Sequence, residues 1–168
     1  MMRKSVAAVT GAAGGIGWTA DPSRAVLLIH DLQNHFADAF ARDVPPIPEL
    51  VTNIIALRSH CATLGIPVVY GDFQQTPLAR VMADLGRDQL IITGIYAHLG
   101  CLMTAREAFM RDIEVFFVAD ATADLSADHH LSATTYAAGR CTMALTTDRV
   151  LSMLPLAPPP AGRPVAAG

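Results

Sequence analysis

An aspartate follows a strongly apolar run, so its carboxylate would lie at the end of a buried strand, where it could act in catalysis. Ala25 to Ile29 are all apolar, and His30 and Asp31 follow directly. Such a short apolar run with polar ends is typical of a central strand in a parallel sheet. Apolar walls favour the protonated form of a carboxyl group, as a general acid requires. Asp31 is therefore a candidate acid, although the position equally suits an aspartate that caps a turn.

A second group of candidates lies between Thr93 and Cys101, where a predicted strand passes through a polar loop into a predicted helix. Backbone N–H groups at a helix start can bind an anion or stabilise an oxyanion. The helix N-terminus would make Cys101 more acidic and a possible nucleophile, but without a neighbouring base a small buried thiol is favoured. His98 is either an acid–base group or a turn residue, and the turn residue is favoured.

Five further residues have side chains that could bind a metal: Asp120, Asp124, Asp128, His129 and His130. The aspartates flank a predicted helix start, where negative charge is favourable without any metal. The two adjacent histidines point about 100° apart on a helix, so they cannot share one ion as an i, i+4 pair can. We therefore expect no metal and no cofactor.

A glycine-rich run from Thr10 to Gly17 fits the TGxxxGxG pattern and follows the strand-like residues 5–9. This opening resembles that of short-chain dehydrogenases. A dinucleotide loop needs a following helix whose N-terminus receives the pyrophosphate. Here residues 18–22 lead almost directly into the next strand, so nucleotide binding is rejected. Residues 1–17 are interpreted as a short-chain-dehydrogenase-like remnant.

Predicted strands alternate with predicted helices along the rest of the chain. The strands are expected at about 25–29, 66–70, 90–93, 115–118 and 142–145, and the helices at about 48–64, 77–85, 100–110, 126–138 and 147–154. Gly65, Gly86 and Gly139 are expected to end three of the helices. This alternation predicts a three-layer α/β/α fold with a Rossmann-like parallel sheet of about five strands. Ligands bind such sheets at the carboxyl ends of the strands.

Composition narrows the class of protein. The 168 residues suit one domain, and a net charge of −3 gives no electrostatic case for nucleic acid. No apolar run approaches the ~20 residues of a membrane span, so we expect no membrane partner and a cytoplasmic protein. The three cysteines lack the spacing of a disulfide framework or a zinc site. Residues 155–168 hold five prolines and are expected to be a disordered tail.

From Trp18 onward the sequence resembles the isochorismatase branch of the cysteine-hydrolase superfamily. Residues 24–34 resemble the family's first strand and catalytic aspartate, and residues 86–90 and 95–105 resemble its fourth strand and active-site loop. Shorter matches at 108–113, 118–121, 128–130 and 136–140 extend the likeness to about Leu154. The resemblance covers some four fifths of the chain and defines an isochorismatase-like domain over residues 18–154.

The resemblance implies the chemistry. Nicotinamidase-type members have their nucleophilic cysteine where this sequence has Gly100, whereas isochorismatases have glycine there. The implied reaction is hydrolysis of the enolpyruvyl vinyl ether of isochorismate or aminodeoxyisochorismate, which releases pyruvate in siderophore or phenazine-type metabolism. By resemblance Asp31 is the proton donor and the Gly100 region supplies backbone N–H groups. The substrate, a small molecule, would contact Gln33, Phe36, Tyr96 and His98, and the protein would be a homo-oligomer, in particular a dimer.

One departure from the family concerns a catalytic lysine. Family members carry a third strand that ends in a Thr-Lys motif, yet the only lysine here is Lys4. A few tens of residues are missing after strand 66–70, which would leave this strand with an exposed flank. Arg80 or Arg87 is the candidate for a substitute cation. The alternative to an active hydrolase is a catalytically impaired remnant that acts as a dimerisation or interaction module.

Overall fold

The computed structural model describes residues 16–30, 45–71 and 78–156, and the structural statements that follow concern those residues. Strands and helices alternate as predicted. In chain order they are β1 (Ala25–His30), α1 (Ile47–Thr63), β2 (Val68–Tyr70), α2 (Leu78–Asp84), β3 (Gln89–Ile95), a π-helical turn (Ala97–Cys101), α3 (Leu102–Phe109), β4 (Glu114–Ala123), α4 (Ala127–Arg140), β5 (Met143–Leu145) and α5 (Thr147–Met153). Residues 1–15, 31–44, 72–77 and 157–168 lie outside the described residues, and with them most of the predicted N-terminal remnant and most of the predicted tail.

The strands form one five-stranded sheet in the order β2-β1-β3-β4-β5, and every neighbouring pair is parallel. This confirms the predicted fold class. All six residues of β1 and all seven of β3 are buried, as their near-continuous apolar sequences require. The chain leaves β1 toward β2 on one side and returns to β3 on the other. That reversal opens a crevice at the carboxyl ends of β1 and β3, where sheets of this kind bind ligands.

Helices cover both faces of the sheet. On one face α1 and α5 pack against a core that includes Leu50, Leu57 and Phe116. On the other face α2, α3 and α4 pack against a core that includes Met82 and Phe117. Phe116 and Phe117 enter different cores because successive side chains of a strand point to opposite faces. The two cores together make the predicted three layers.

Three helix boundaries test the predicted start and stop signals. Gly65 and Gly86 follow α1 and α2 with φ of +69° and +62°, as expected of residues that end helices. The prediction for Gly139 is wrong, because α4 continues through it to Arg140 and ends at Cys141. The helix predicted to begin near Gly100 is also wrong in its start, since a π-helical turn begins at Ala97 and passes into α3.

The strand β2 lies at one edge of the described sheet. It is only three residues long, pairs with β1 alone and leaves Tyr70 54% exposed. The exposed flank expected for this strand is therefore present in the described sheet. No helix among the described residues is long and apolar enough to cross a membrane.

Candidate active site

The crevice at the carboxyl ends of β1 and β3 receives its described side chains mainly from the β3 side. β1 ends at His30, which is 1% exposed, and Asp31 is the next residue of the chain. Asp31, Gln33 and Phe36 fall within residues 31–44, outside the described part of the chain. The structure therefore places three of the six predicted site residues, namely Tyr96, His98 and Gly100.

Gly100 lies directly against the imidazole ring of His30. A Cβ atom at Gly100 would stand 2.1 Å from His30 Cε1 and 2.7 Å from both ring nitrogens. Non-bonded carbon atoms approach favourably only to about 3.5–4.0 Å. Any side chain at position 100, a cysteine included, therefore requires His30 to move. The resemblance implies a glycine rather than a nucleophilic cysteine at position 100. The close approach of His30 gives that preference a steric basis.

A second glycine holds His30 from the backbone side. Gly94 has φ of +124°, a region that residues with a side chain rarely adopt. Its absent Cβ would stand 2.1 Å from the carbonyl oxygen of His30, where β3 makes a register shift between Ile92 and Gly94. His30 is the site residue that sequence reasoning missed. The available signal was a histidine inside a strand that is otherwise wholly apolar.

Tyr96 stands between β3 and the π-helical turn in the left-handed conformation, with φ of 60° and ψ of 56°. A residue other than glycine is uncommon there, and for a bulky residue the conformation costs about 1–2 kcal/mol. The Tyr96 carbonyl accepts the N–H groups of Leu99 at 3.1 Å and Cys101 at 3.3 Å. Strained residues and π-helical turns concentrate at functional sites, so this geometry supports the predicted role of the segment.

The backbone N–H groups of this turn are partly used within the protein. Those of Leu99 and Cys101 donate to Tyr96, and that of His98 donates to Asp124 Oδ2 at 2.7 Å. These three groups are therefore not available to a ligand in this conformation. The thiol of Cys101 is buried and donates to the Ile95 carbonyl at 3.5 Å, which supports the interpretation of a structural thiol.

The ring of His98 faces the junction of β4 and α4. Its Nδ1 lies 2.6 Å from Asp124 Oδ2, and its ring centroid lies 4.4 Å from that of His129. The Asp124 side chain is completely buried, whereas those of His98 and His129 are 29% and 57% exposed. The structure therefore groups His98 with two of the five residues whose side chains could bind a metal, although the sequence led us to expect no metal there.

Two more of these five residues, His130 and Asp120, make contacts with other parts of the protein. His130 Nε2 lies 2.9 Å from the Ala119 carbonyl, and burial lowers the pKa of this histidine. Asp120 accepts the backbone N–H of Thr147 at 2.7 Å and its hydroxyl at 2.9 Å. Burial raises the pKa of Asp120, and the hydrogen bonds from Thr147 oppose that rise.

Arg87 and Arg80, the candidates for a substitute cation, are engaged elsewhere. Arg87 donates to the carbonyls of Pro22 and Ala25, both at 2.7 Å, at the amino end of β1 and so opposite the end that leads to Asp31. Arg80 is 82% exposed and lies 3.7 Å from Asp84, one turn further along α2. Arg87 therefore does not replace the family lysine, and the observed partner of Arg80 is Asp84.

The fold defines a doubly wound α/β protein whose candidate ligand site lies at the carboxyl ends of β1 and β3, and sequence comparison identifies the family. The profile of the isochorismatase domain matches residues 70–149. The chain is 42% identical to the isochorismatase of Bacillus subtilis over 193 residues. It is 34% identical both to enterobactin synthase component B of Escherichia coli and to a probable isochorismatase of Pseudomonas chlororaphis, and it covers 88% of the latter. The chain belongs to the isochorismatase family.

The relatives also show how the lengths differ. The matches use 85%, 81% and 80% of this chain, which spans only 62% and 65% of the Bacillus and Escherichia proteins. The alignment with the Bacillus protein extends over 193 positions, more than the 168 residues of the whole chain. That relative therefore contains residues with no counterpart here.

Solved structures support the fold. An isochorismatase from Pseudomonas putida KT2440 superimposes with a TM-score of 0.71, covering 84% of this chain and 97% of its own. The sequences are 19% identical, so this likeness concerns the fold alone.

Proposed function

We propose that this chain hydrolyses the enolpyruvyl vinyl ether of isochorismate or aminodeoxyisochorismate and releases pyruvate. The observation that carries the proposal is the contact of Gly100 with His30, which fills the space that a nucleophilic side chain would need. The names of the Bacillus and Pseudomonas relatives support the isochorismate substrate. The name of the Escherichia relative supports a place in siderophore biosynthesis, and phenazine-type metabolism is the other setting we propose.

The reaction needs an acid and a water molecule. Asp31 protonates the methylene carbon of the enolpyruvyl group, which leaves an oxocarbenium ion at the ether carbon. Water adds to that carbon and loses a proton to the Asp31 carboxylate. The resulting hemiketal collapses. The bond between its central carbon and the oxygen attached to the ring breaks, the hydroxyl proton of the hemiketal passes to that oxygen, and the products are pyruvate and a hydroxyl group on the ring. No covalent bond to the protein is formed, in agreement with the steric exclusion of a side chain at Gly100.

The remaining predicted residues would bind the substrate. We propose that Gln33, Phe36 and Tyr96 contact it. The Gly100 region would face it with backbone N–H groups other than those of His98, Leu99 and Cys101, which are engaged within the protein. His98 would contact it only with the part of its ring that Asp124 does not engage. We further propose a cytoplasmic homodimer, with no nucleic-acid or membrane partner.

A second candidate function is a catalytically impaired family member that acts as a dimerisation or interaction module. The observation that favours it is the absence of any lysine after Lys4, together with the residues of the Bacillus relative that have no counterpart here. Loss of a positioned charge beside the acid would lower turnover by about 10²-fold or more through lost orientation and charge stabilisation.

The two functions are separated by an assay of pyruvate release from isochorismate. We expect wild-type protein to release pyruvate, Asp31→Asn to be at least ~100-fold slower, and the control Asp148→Asn to match wild type. Asp148 is an exposed acid in the first turn of α5. The control substitution therefore removes the same charge at a position outside the crevice. If wild type and Asp31→Asn release pyruvate at the same rate, the hydrolase proposal is wrong and the interaction module remains.

A further inference from the structure

The junction of β4 and α4 brings together three side chains that the proposed hydrolysis does not use as a group. Asp124 follows β4 directly, His129 lies in the first turn of α4, and His98 reaches them from the π-helical turn. One potential ligand atom from each lies within 4.8 Å of the other two. Adjacent histidines on one helix cannot share an ion, but here the second imidazole comes from a distant turn.

We infer that His98, Asp124 and His129 form a binding site for a divalent transition metal ion, with Zn²⁺ as the best fit. Two imidazole nitrogens and one carboxylate oxygen are a ligand set that Zn²⁺ accepts in tetrahedral sites, with water as the fourth ligand. With neutral imidazoles the three side chains carry one negative charge, which a dication compensates. The exposed side of His129 leaves room for the water ligand.

The distances are close to those of an occupied site. Zn²⁺ bonds of about 2.0–2.2 Å to nitrogen and oxygen place tetrahedral ligand atoms roughly 3.3–3.5 Å apart. His98 Nδ1 lies 2.6 Å from Asp124 Oδ2, and His129 Nδ1 lies 4.0 Å from Asp124 Oδ1. These distances run to different oxygens of the carboxylate, so binding of one ion requires the two partly exposed histidine side chains to rotate toward a shared centre. Metal binding through Nδ1 requires the His98 tautomer that carries its proton on Nε2.

The carboxylate is already held in place by the backbone. Asp124 Oδ2 accepts the N–H of His98 at 2.7 Å, and Asp124 Oδ1 accepts the N–H of Leu125 at 2.8 Å. Such outer hydrogen bonds orient metal ligands and raise metal affinity. The positive end of α4 opposes a cation at His129, but salt screens this effect at a side chain that is 57% exposed.

An ion at this position would fasten the turn that carries Gly100 to the start of α4. The backbone bond from His98 to Asp124 already makes that connection across 26 residues of sequence. A metal would add a bond from each of three elements to one centre. Binding should therefore stabilise the folded chain, since the unfolded chain does not present these ligands together.

The test uses the full chain, freed of metal with a chelator and then titrated with Zn²⁺ in competition with a chromophoric chelator. We expect one Zn²⁺ per chain and a rise in the melting temperature. His129→Asn should weaken binding at least about tenfold and abolish the rise in melting temperature, because it removes one ligand and leaves the bond between His98 and Asp124 intact. Asp128→Asn, the neighbouring exposed acid, should bind within about threefold of wild type.

Cobalt gives a second readout that does not rely on a change in melting temperature. Co²⁺ in a tetrahedral nitrogen–oxygen site absorbs visible light much more strongly than the hydrated ion does. We expect that absorption in wild type and Asp128→Asn and its loss in His129→Asn. The proposal is overturned if wild type binds no Zn²⁺ with micromolar affinity or tighter, or if His129→Asn binds as wild type does, because the ion would then be held elsewhere.

Discussion

Replacement of Gly100 by alanine tests the contact between the π-helical turn and β1. The added Cβ would stand 2.1 Å from His30 Cε1, so atoms must separate by at least about 1.4 Å to restore a normal contact. His30 is buried at the end of a central strand and has little room to yield. Overpacking of this kind costs about 1–3 kcal/mol.

The gain that alanine brings to a helical backbone must be set against this cost. Gly100 lies in a helical turn, where alanine is favoured over glycine by up to about 1 kcal/mol. Taking the upper end of the overpacking range, we expect Gly100→Ala to lower the free energy of unfolding by about 2 kcal/mol. The matched control is Gly139→Ala in α4, where an added Cβ meets no atom within 4 Å. That variant should be stabilised by up to about 1 kcal/mol.

Urea unfolding of the two variants, read by circular dichroism, measures the difference. A double-mutant cycle then assigns the cost to His30. In a His30→Ala background, Gly100→Ala should be neutral or stabilising, because the ring that it overlaps is gone. The reasoning would be refuted if Gly100→Ala unfolded within ~0.5 kcal/mol of wild type, or if its cost were the same in both backgrounds.

Two further predictions concern polar groups at β4, the partly buried Asp120 within the strand and the buried His130 that contacts the Ala119 carbonyl. Asp120→Ala should lower the free energy of unfolding by about 1–3 kcal/mol, because it leaves the N–H and hydroxyl of Thr147 without their acceptor. Asp120→Asn should lower it less, because it keeps an acceptor oxygen and removes a partly buried charge. Chemical denaturation of both variants checks this order, and equal losses would contradict it. Burial lowers the pKa of His130 in the folded protein, so the unfolded chain binds its proton first and wild-type stability falls as the pH drops through about 6.5. His130→Gln should remove a slope of at most about 1.4 kcal/mol per pH unit below that pH, and identical pH profiles of the two proteins would contradict the assignment.

The fold follows from local patterns that the sequence displays openly. The unbroken apolar runs of β1 and β3 predict buried parallel strands, and Gly65 and Gly86 mark two helix ends correctly because both take positive φ. Gly139 misleads because it does not take positive φ, so α4 continues through it to Arg140. Local patterns carry most of the information on this fold, but a glycine alone does not show whether its φ is positive.

The site was harder to predict because its contacts join distant parts of the chain. The approach of Gly100 to His30 depends on the register of β1 against β3, which no local pattern contains. The grouping of His98 with Asp124 likewise depends on where β4 ends relative to the π-helical turn. Residue types near strand ends could be proposed from the sequence, but their partners required the folded sheet.

The strand order also sets a hazard during synthesis. β1 leaves the ribosome before both of its partners, and the longer one, β3, begins only at Gln89, so one edge of the apolar strand stays unpaired for several seconds at ~5–20 residues per second. An unpaired apolar strand of low charge is a template for aggregation. Arg24 precedes this strand and, once β3 and β4 arrive, binds Asp88 at 2.7 Å and Glu114 at 3.3 Å. Before then its charge next to the nascent strand opposes aggregation. Arg24→Leu should therefore clearly lower the soluble yield of newly made chain while it changes the free energy of unfolding of the folded protein little.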